Sequence, residues 1–183
     1  MKKKIIAIIS IIVLIVIILL SIKMIKNKSE DYKNWDESKL VNKPTLVECM
    51  TPVTYTDGTE KVVEIDQENN SWYDYVEQLN TTEDGGSSRW ANAKTNDGSL
   101  WVWIPRYAYK ITYNNSEDKS AGGKIDVVFL KGTSNRDKNG EDVTKKGYIV
   151  HPAFRNGSNN GYLNGEWDAE IPGIWVSKFE AGY

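Results

Sequence analysis

Ser99-Leu100-Trp101-Val102-Trp103-Ile104-Pro105-Arg106-Tyr107-Ala108-Tyr109-Lys110-Ile111 is the stretch that decides how the rest of the chain is read. From Leu100 to Ile104 every side chain is apolar, so a strand here is buried on both faces, as central strands are. Pro105 has no N–H to give a ladder, and pairing breaks there. Beyond it the pattern alternates. Tyr107, Tyr109, Ile111 and Tyr113 share one face and Arg106, Lys110 and Thr112 the other, which predicts a half-buried strand with one wet side. So many aromatics serve either as a platform for a stacked ligand or as core. Indoles and phenols are the main apolar payload of this chain, so core is the expected role.

Working outward, short extended segments separated by turns occur on both sides. Leu46–Tyr55 and Lys61–Ile65 precede the central stretch, and Thr95-Asn96-Asp97-Gly98 turns into it. Trp72–Val76 and Arg89–Ala93 flank a polar loop at 81–88. Ile125–Leu130, Gly147–Phe154 and Gly173–Glu180 follow as further strands, with Pro152 holding His151 out of helical geometry. With Phe scarce and Trp, Tyr, Asn and Gly abundant, the fold class is mainly β, with α+β left open.

The formal net charge of -2 hides an asymmetry. Residues 1–28 hold six lysines and no acid, leaving 17 basic against 25 acidic residues in the remainder, a charge of -8. An acidic body without a basic stripe argues against nucleic acid as a partner, because phosphate binding requires neutralising charge. Within the basic segment, Ile5 to Ile22 is an eighteen-residue run interrupted only by Ser10 and Ser21. As a helix it covers about 27 Å, close to the hydrocarbon thickness of a bilayer. The run ends in Leu19-Leu20-Ser21-Ile22-Lys23 without a small-x-small cleavage site, so residues 1–26 are expected to form an uncleaved signal anchor contacting membrane lipid through residues 5–22. Lys2, Lys3 and Lys4 are expected to stay in the cytoplasm, placing the rest outside the cell. Residues 27–43, polar with Trp35 their one Trp, read as a stalk, and residues 44–183 as the extracellular β-rich domain.

Met50-Thr51-Pro52-Val53, Trp72-Tyr73-Asp74-Tyr75, Trp90-Ala91-Asn92-Ala93, Asp97–Ile111, Tyr148–Phe154 and Gly173–Glu180, in this order, resemble a family of Gram-positive and prophage surface proteins with no assigned activity. Val102-Trp103-Ile104-Pro105 and Lys178-Phe179-Glu180 are also similar to the opening strands of sulfatase-modifying-factor domains, a branch of the C-type-lectin-like fold. That likeness implies a lectin-like β domain incomplete at its C-terminus, since the related chains run on past the second of these strands. The enzymatic members oxidise a substrate cysteine with copper held by cysteines. Cys49 is the one cysteine here, so that chemistry does not carry over. A single thiol also excludes an intrachain disulfide.

Candidate sites are few. Asn135, Asp137, Asn139 and Asp142 place oxygen ligands with Gly140 at the sixth position, as calcium loops do. The first position is Asn, however, the twelfth is Lys146, and no helices are predicted on either side, so a solvated hairpin loop is the expected role. His151 could pair with Cys49 as a nucleophile–base couple or ligate a metal, but with no second histidine in the chain a structural role is expected. The function expected is that of a membrane-anchored surface or structural module that binds cell-wall glycan or another surface protein and performs no catalysis. Trp72, Trp90, Trp101, Trp103 and Trp175 are its candidate contacts, and no cofactor is expected beyond the calcium candidate. The alternative is a fragment or degenerate relative of a formylglycine-generating enzyme.

Overall fold

The computed structural model describes residues 11–24, 32–55, 62–69, 72–75, 90–157 and 167–179. Residues 1–33 and 34–183 form two compact units. In the first, residues 11–24 are helical, and Ile11 to Leu20 and Ile22 are exposed around the whole circumference. Residues 5–10 of the expected span lie outside the described residues. Among the described residues no helix is long and apolar enough to cross a membrane.

The second unit is mainly β. A short ribbon pairs β1 (Trp35–Asp36) with β2 (Val41–Asn42). A five-stranded antiparallel sheet has the order β10 (Gly173–Ser177), β6 (Leu100–Pro105), β5 (Asn92–Thr95), β3 (Met50–Tyr55), β4 (Val62–Glu64). A three-stranded sheet has β7 (Tyr107–Tyr113) between β8 (Gly123–Phe129) and β9 (Ile149–Val150). The doubly apolar run therefore lies inside its sheet, flanked on both sides. Pro105 ends it, and the chain passes through Arg106 into the other sheet.

The expected stalk needs correction. From Asn34 the chain belongs to the β domain, and only residues 32 and 33 of the described part of 27–43 precede it. The Asp36 carboxylate accepts the N–H groups of Ser38 and Lys39, forming an Asx turn that reverses the chain into β2. Val41 and Asn42 are fully buried, so these polar-looking residues close the domain rather than lift it off a surface. The Asn42 side chain donates to the carbonyls of Leu130, Gly132 and Pro172 and accepts from Gly132 N–H.

Arg106 is the second correction. Expected on a wet strand face, its side chain is 1 % exposed. Its guanidinium donates to the carbonyls of Ser134 and Phe154 and lies 2.6 Å from the Glu170 carboxylate. The reason is its place at the break between two sheets, where one planar fork of donors satisfies carbonyls that no ladder reaches.

Two cores result. The first gathers Val41, Trp72, Tyr73, Tyr75, Ala91 and Trp103. Trp72 and Tyr73 pack edge to face, Tyr73 and Tyr75 at a tilt, and the rings' polar atoms are satisfied: Trp72 Nε1 by Asn92 O, Tyr75 Oη by Trp103 O, Trp103 Nε1 by Asn42 O. Gly173 lies so close to the Trp103 ring that a Cβ there would sit 2.6 Å from its Cε2, which explains a glycine at the start of β10. The second core is small: Ala108, Leu130, Val143 and Val150.

Candidate binding groove

The second core inverts the expected orientation of β7. Ala108 is fully buried, whereas Ile111 and Tyr113 are exposed and Tyr107 and Tyr109 are half-buried. The tyrosine face is the open one. Antiparallel register places Phe129 opposite Tyr107, Val127 opposite Tyr109 and Ile125 opposite Ile111, so residues at a spacing of two on both strands share that face. Ile104 and Trp90 extend it toward the five-stranded sheet. Apart from Ile111, these residues and His151 line a groove of about 620 Å³.

The groove is backed by the larger core. Tyr75 packs edge to face on both Trp90 (ring centroids 5.0 Å apart) and Phe129 (5.8 Å), so two lining rings are held by a buried neighbour. His151 is fixed from three directions. Its backbone N–H donates to Tyr107 O, its Nδ1 accepts Ala153 N–H at 3.3 Å, and its ring lies 5.0 Å from that of Tyr107. With Nδ1 accepting, the neutral ring carries its proton on Nε2. Burial pushes the imidazole pKa below its ordinary value and the Tyr107 phenol above its own. Both groups are therefore neutral at neutral pH. The groove offers ring faces and alkyl groups with two phenols and an imidazole as hydrogen-bonding groups, a set suited to recognition rather than charge chemistry.

Of the expected contacts, Trp90 lines this groove. Trp72 and Trp103 are each 3 % exposed and belong to the core, so they are corrected from surface contacts to packing residues. Trp175 stacks edge to face on Trp103 and donates to Thr45 O, while Trp101 donates to Thr95 Oγ1. In the calcium-loop candidate, Asp137 is buried and accepts the N–H groups of Asn139 and Glu141, and Asp142 caps the 3₁₀ turn Val143–Lys146 through Thr144. Asn135 Oδ1 faces Arg106. These oxygens hold the loop's own backbone, and among the described residues no three His, Cys, Asp or Glu side chains converge as a metal set. Cys49 is exposed on the turn before β3. Of the groove residues outside the expected set, Tyr107, Tyr109 and Phe129 were visible in sequence only as alternation. Which face stays open was not.

A second hollow, of about 510 Å³, is lined by Ser134, Asn135, Tyr148, Arg155 and Glu170. Glu170 there is already engaged by Arg106. No family model, curated protein or solved structure matches the chain.

Proposed function

We propose that this protein is a membrane-anchored surface module that binds cell-wall glycan in the groove on the β7–β8–β9 sheet. One observation carries the reading: an open trough in which Trp90, Tyr107 and Tyr109 offer ring faces beside phenol and imidazole groups, with Trp90 and Phe129 backed by the buried Tyr75. Sugars present apolar C–H faces that stack on such rings and hydroxyls that such groups bond. Anchoring is supported by the run from Ile5 to Ile22 and by the helix at 11–24, apolar on every side, which in water has no partner for its surface. Lysines stand on both sides of the run, as they do beside the headgroups at the ends of an anchored helix.

The test is a titration of the full chain in lipid nanodiscs with soluble cell-wall glycan fragments, read by tryptophan fluorescence. Saturable binding that Tyr107→Ala and Tyr109→Ala each weaken is expected. Absence of binding, or binding indifferent to both substitutions, removes the proposal.

A further inference from the structure

β8 is the longest edge strand in either sheet, seven residues with β7 on one side and no described strand on the other. The phase of its ladder is fixed at both ends. Leu130 N–H donates to Arg106 O, and Asn114 N–H donates to Gly122 O. In an antiparallel pair, hydrogen-bonded positions alternate, so Lys124, Asp126 and Val128 turn their backbone groups toward β7. Those of Gly123, Ile125, Val127 and Phe129 point outward. An edge of this length, with Ile125 and Val127 exposed, offers N–H and C=O groups to another strand.

Charges on an edge ordinarily block pairing, and Lys124 and Asp126 would do so against most strands. Against a second copy they select a register. With Ile125 opposite Ile125 of the second copy, Lys124 of each chain faces Asp126 of the other, and the outward-pointing groups of residues 123, 125 and 127 meet their counterparts. A shift that centres the pair on Asp126 sets two carboxylates directly opposite, and one centred on Lys124 sets two ammonium groups opposite, both unfavourable. The side chains of Lys124 and Asp126 already bridge at 2.6 Å within the strand, so they are near each other and able to exchange partners.

We propose that two copies associate by antiparallel β8–β8 pairing with Ile125 on the two-fold axis. The pairing forms a continuous six-stranded sheet, and the open faces of the two β7–β8–β9 sheets become one surface, so that a repeating polymer meets two grooves at once. This assembly follows from the edge and stands or falls independently of what the groove binds.

Site-specific disulfide formation in the full chain in detergent micelles tests it, in a Cys49→Ser background. The Cα atoms of residue 125 in the two copies lie about 5.5 Å apart in a hydrogen-bonded pair, within disulfide reach. Those of residue 127 are offset by four residues, on the order of 14 Å. Ile125→Cys is expected to give a disulfide-linked dimer on mild oxidation and Val127→Cys to stay monomeric. In the unsubstituted chain, Lys124→Asp and Asp126→Lys are each expected to abolish the dimer in analytical ultracentrifugation, and the double exchange to restore it. A cross-link at 127 as complete as at 125, none at 125, or an exchange that does not restore association overturns the proposal.

Discussion

The two sheets use the same residue types to opposite ends. Around β6, Trp72, Tyr73, Tyr75 and Trp103 are closed over, and each described indole or phenol there that is named above has a backbone or side-chain partner. On β7, Tyr107 and Tyr109 belong to the same aromatic-rich run but lie along an open trough. The difference follows from what fills the opposite side. Beneath β7, Ala108, Leu130, Val143 and Val150 already complete a small core, and among the described residues no strand is laid over the tyrosine face. Aromatic content by itself does not separate core from surface.

Trp103→Ala breaks the closed side most directly. It removes a buried indole together with its bond to Asn42 O, and a loss of about 3–5 kcal/mol is expected in urea unfolding followed by near-ultraviolet circular dichroism. Arg106→Leu attacks the junction between the sheets. It removes the cation 2.6 Å from Glu170 and the donor to the Ser134 carbonyl, while the Phe154 carbonyl keeps the Ile171 N–H, with an expected cost of about 3 kcal/mol. A cost under about 1 kcal/mol for either would mean that the two sheets are not held as described. Asn42→Ala leaves the Leu130 and Gly132 carbonyls and the Gly132 N–H without that partner, while the Pro172 carbonyl keeps the Arg106 N–H, and is expected to cost about 2–3 kcal/mol, measured the same way.

On the open side the expectation reverses. Tyr109→Ala changes stability by about 1 kcal/mol or less but lowers glycan affinity about tenfold, the worth of one stacking contact, in the nanodisc titration. Equal stability losses at Tyr109 and Trp103 would erase the contrast between the two regions.

Two smaller effects sharpen it. Cys49 has φ 62 in the turn closed by Met50 N–H to Val47 O, a left-handed position better suited to glycine. Cys49→Gly is expected to raise stability by about 1 kcal/mol, read as a higher thermal midpoint. His151 is held below its ordinary pKa by burial, so the unfolded chain takes up its proton first as pH falls. The stability it contributes is complete above about pH 6.5 and declines as pH drops through the lower folded value. Protonated at Nδ1, the ring also loses its bond from Ala153 N–H. Comparing wild type and His151→Gln in urea at about pH 7.5 and about pH 5 should show the wild type losing more over that interval. Parallel losses would place His151 outside the fold's pH response.

The strands around β6 and β7, the break at Pro105 and the extended backbone at His151 were all legible in sequence, because each depends on a local property: alternation, a missing N–H, a restricted residue before proline. The ribbon at 35–42 was not. Its segment is polar, and its contribution rests on Asn42 meeting residues about ninety positions away and on Val41 packing among Trp72, Tyr75 and Trp103. Arg106 was misplaced for the same reason, since a charged residue beside a strand reads as exposed until the carbonyls of Ser134 and Phe154 are brought around it.

Composition and periodicity were thus enough to establish a β domain with aromatic strands, an acidic body and a basic apolar leader. These are properties of neighbouring residues and of totals. Only the tertiary structure decided which side of β7 is open, which tryptophans are buried and where the donors of Asn42 and Arg106 are spent. Burial is set by contacts between segments distant in the chain, and no local pattern specifies which of a strand's two faces will find a partner.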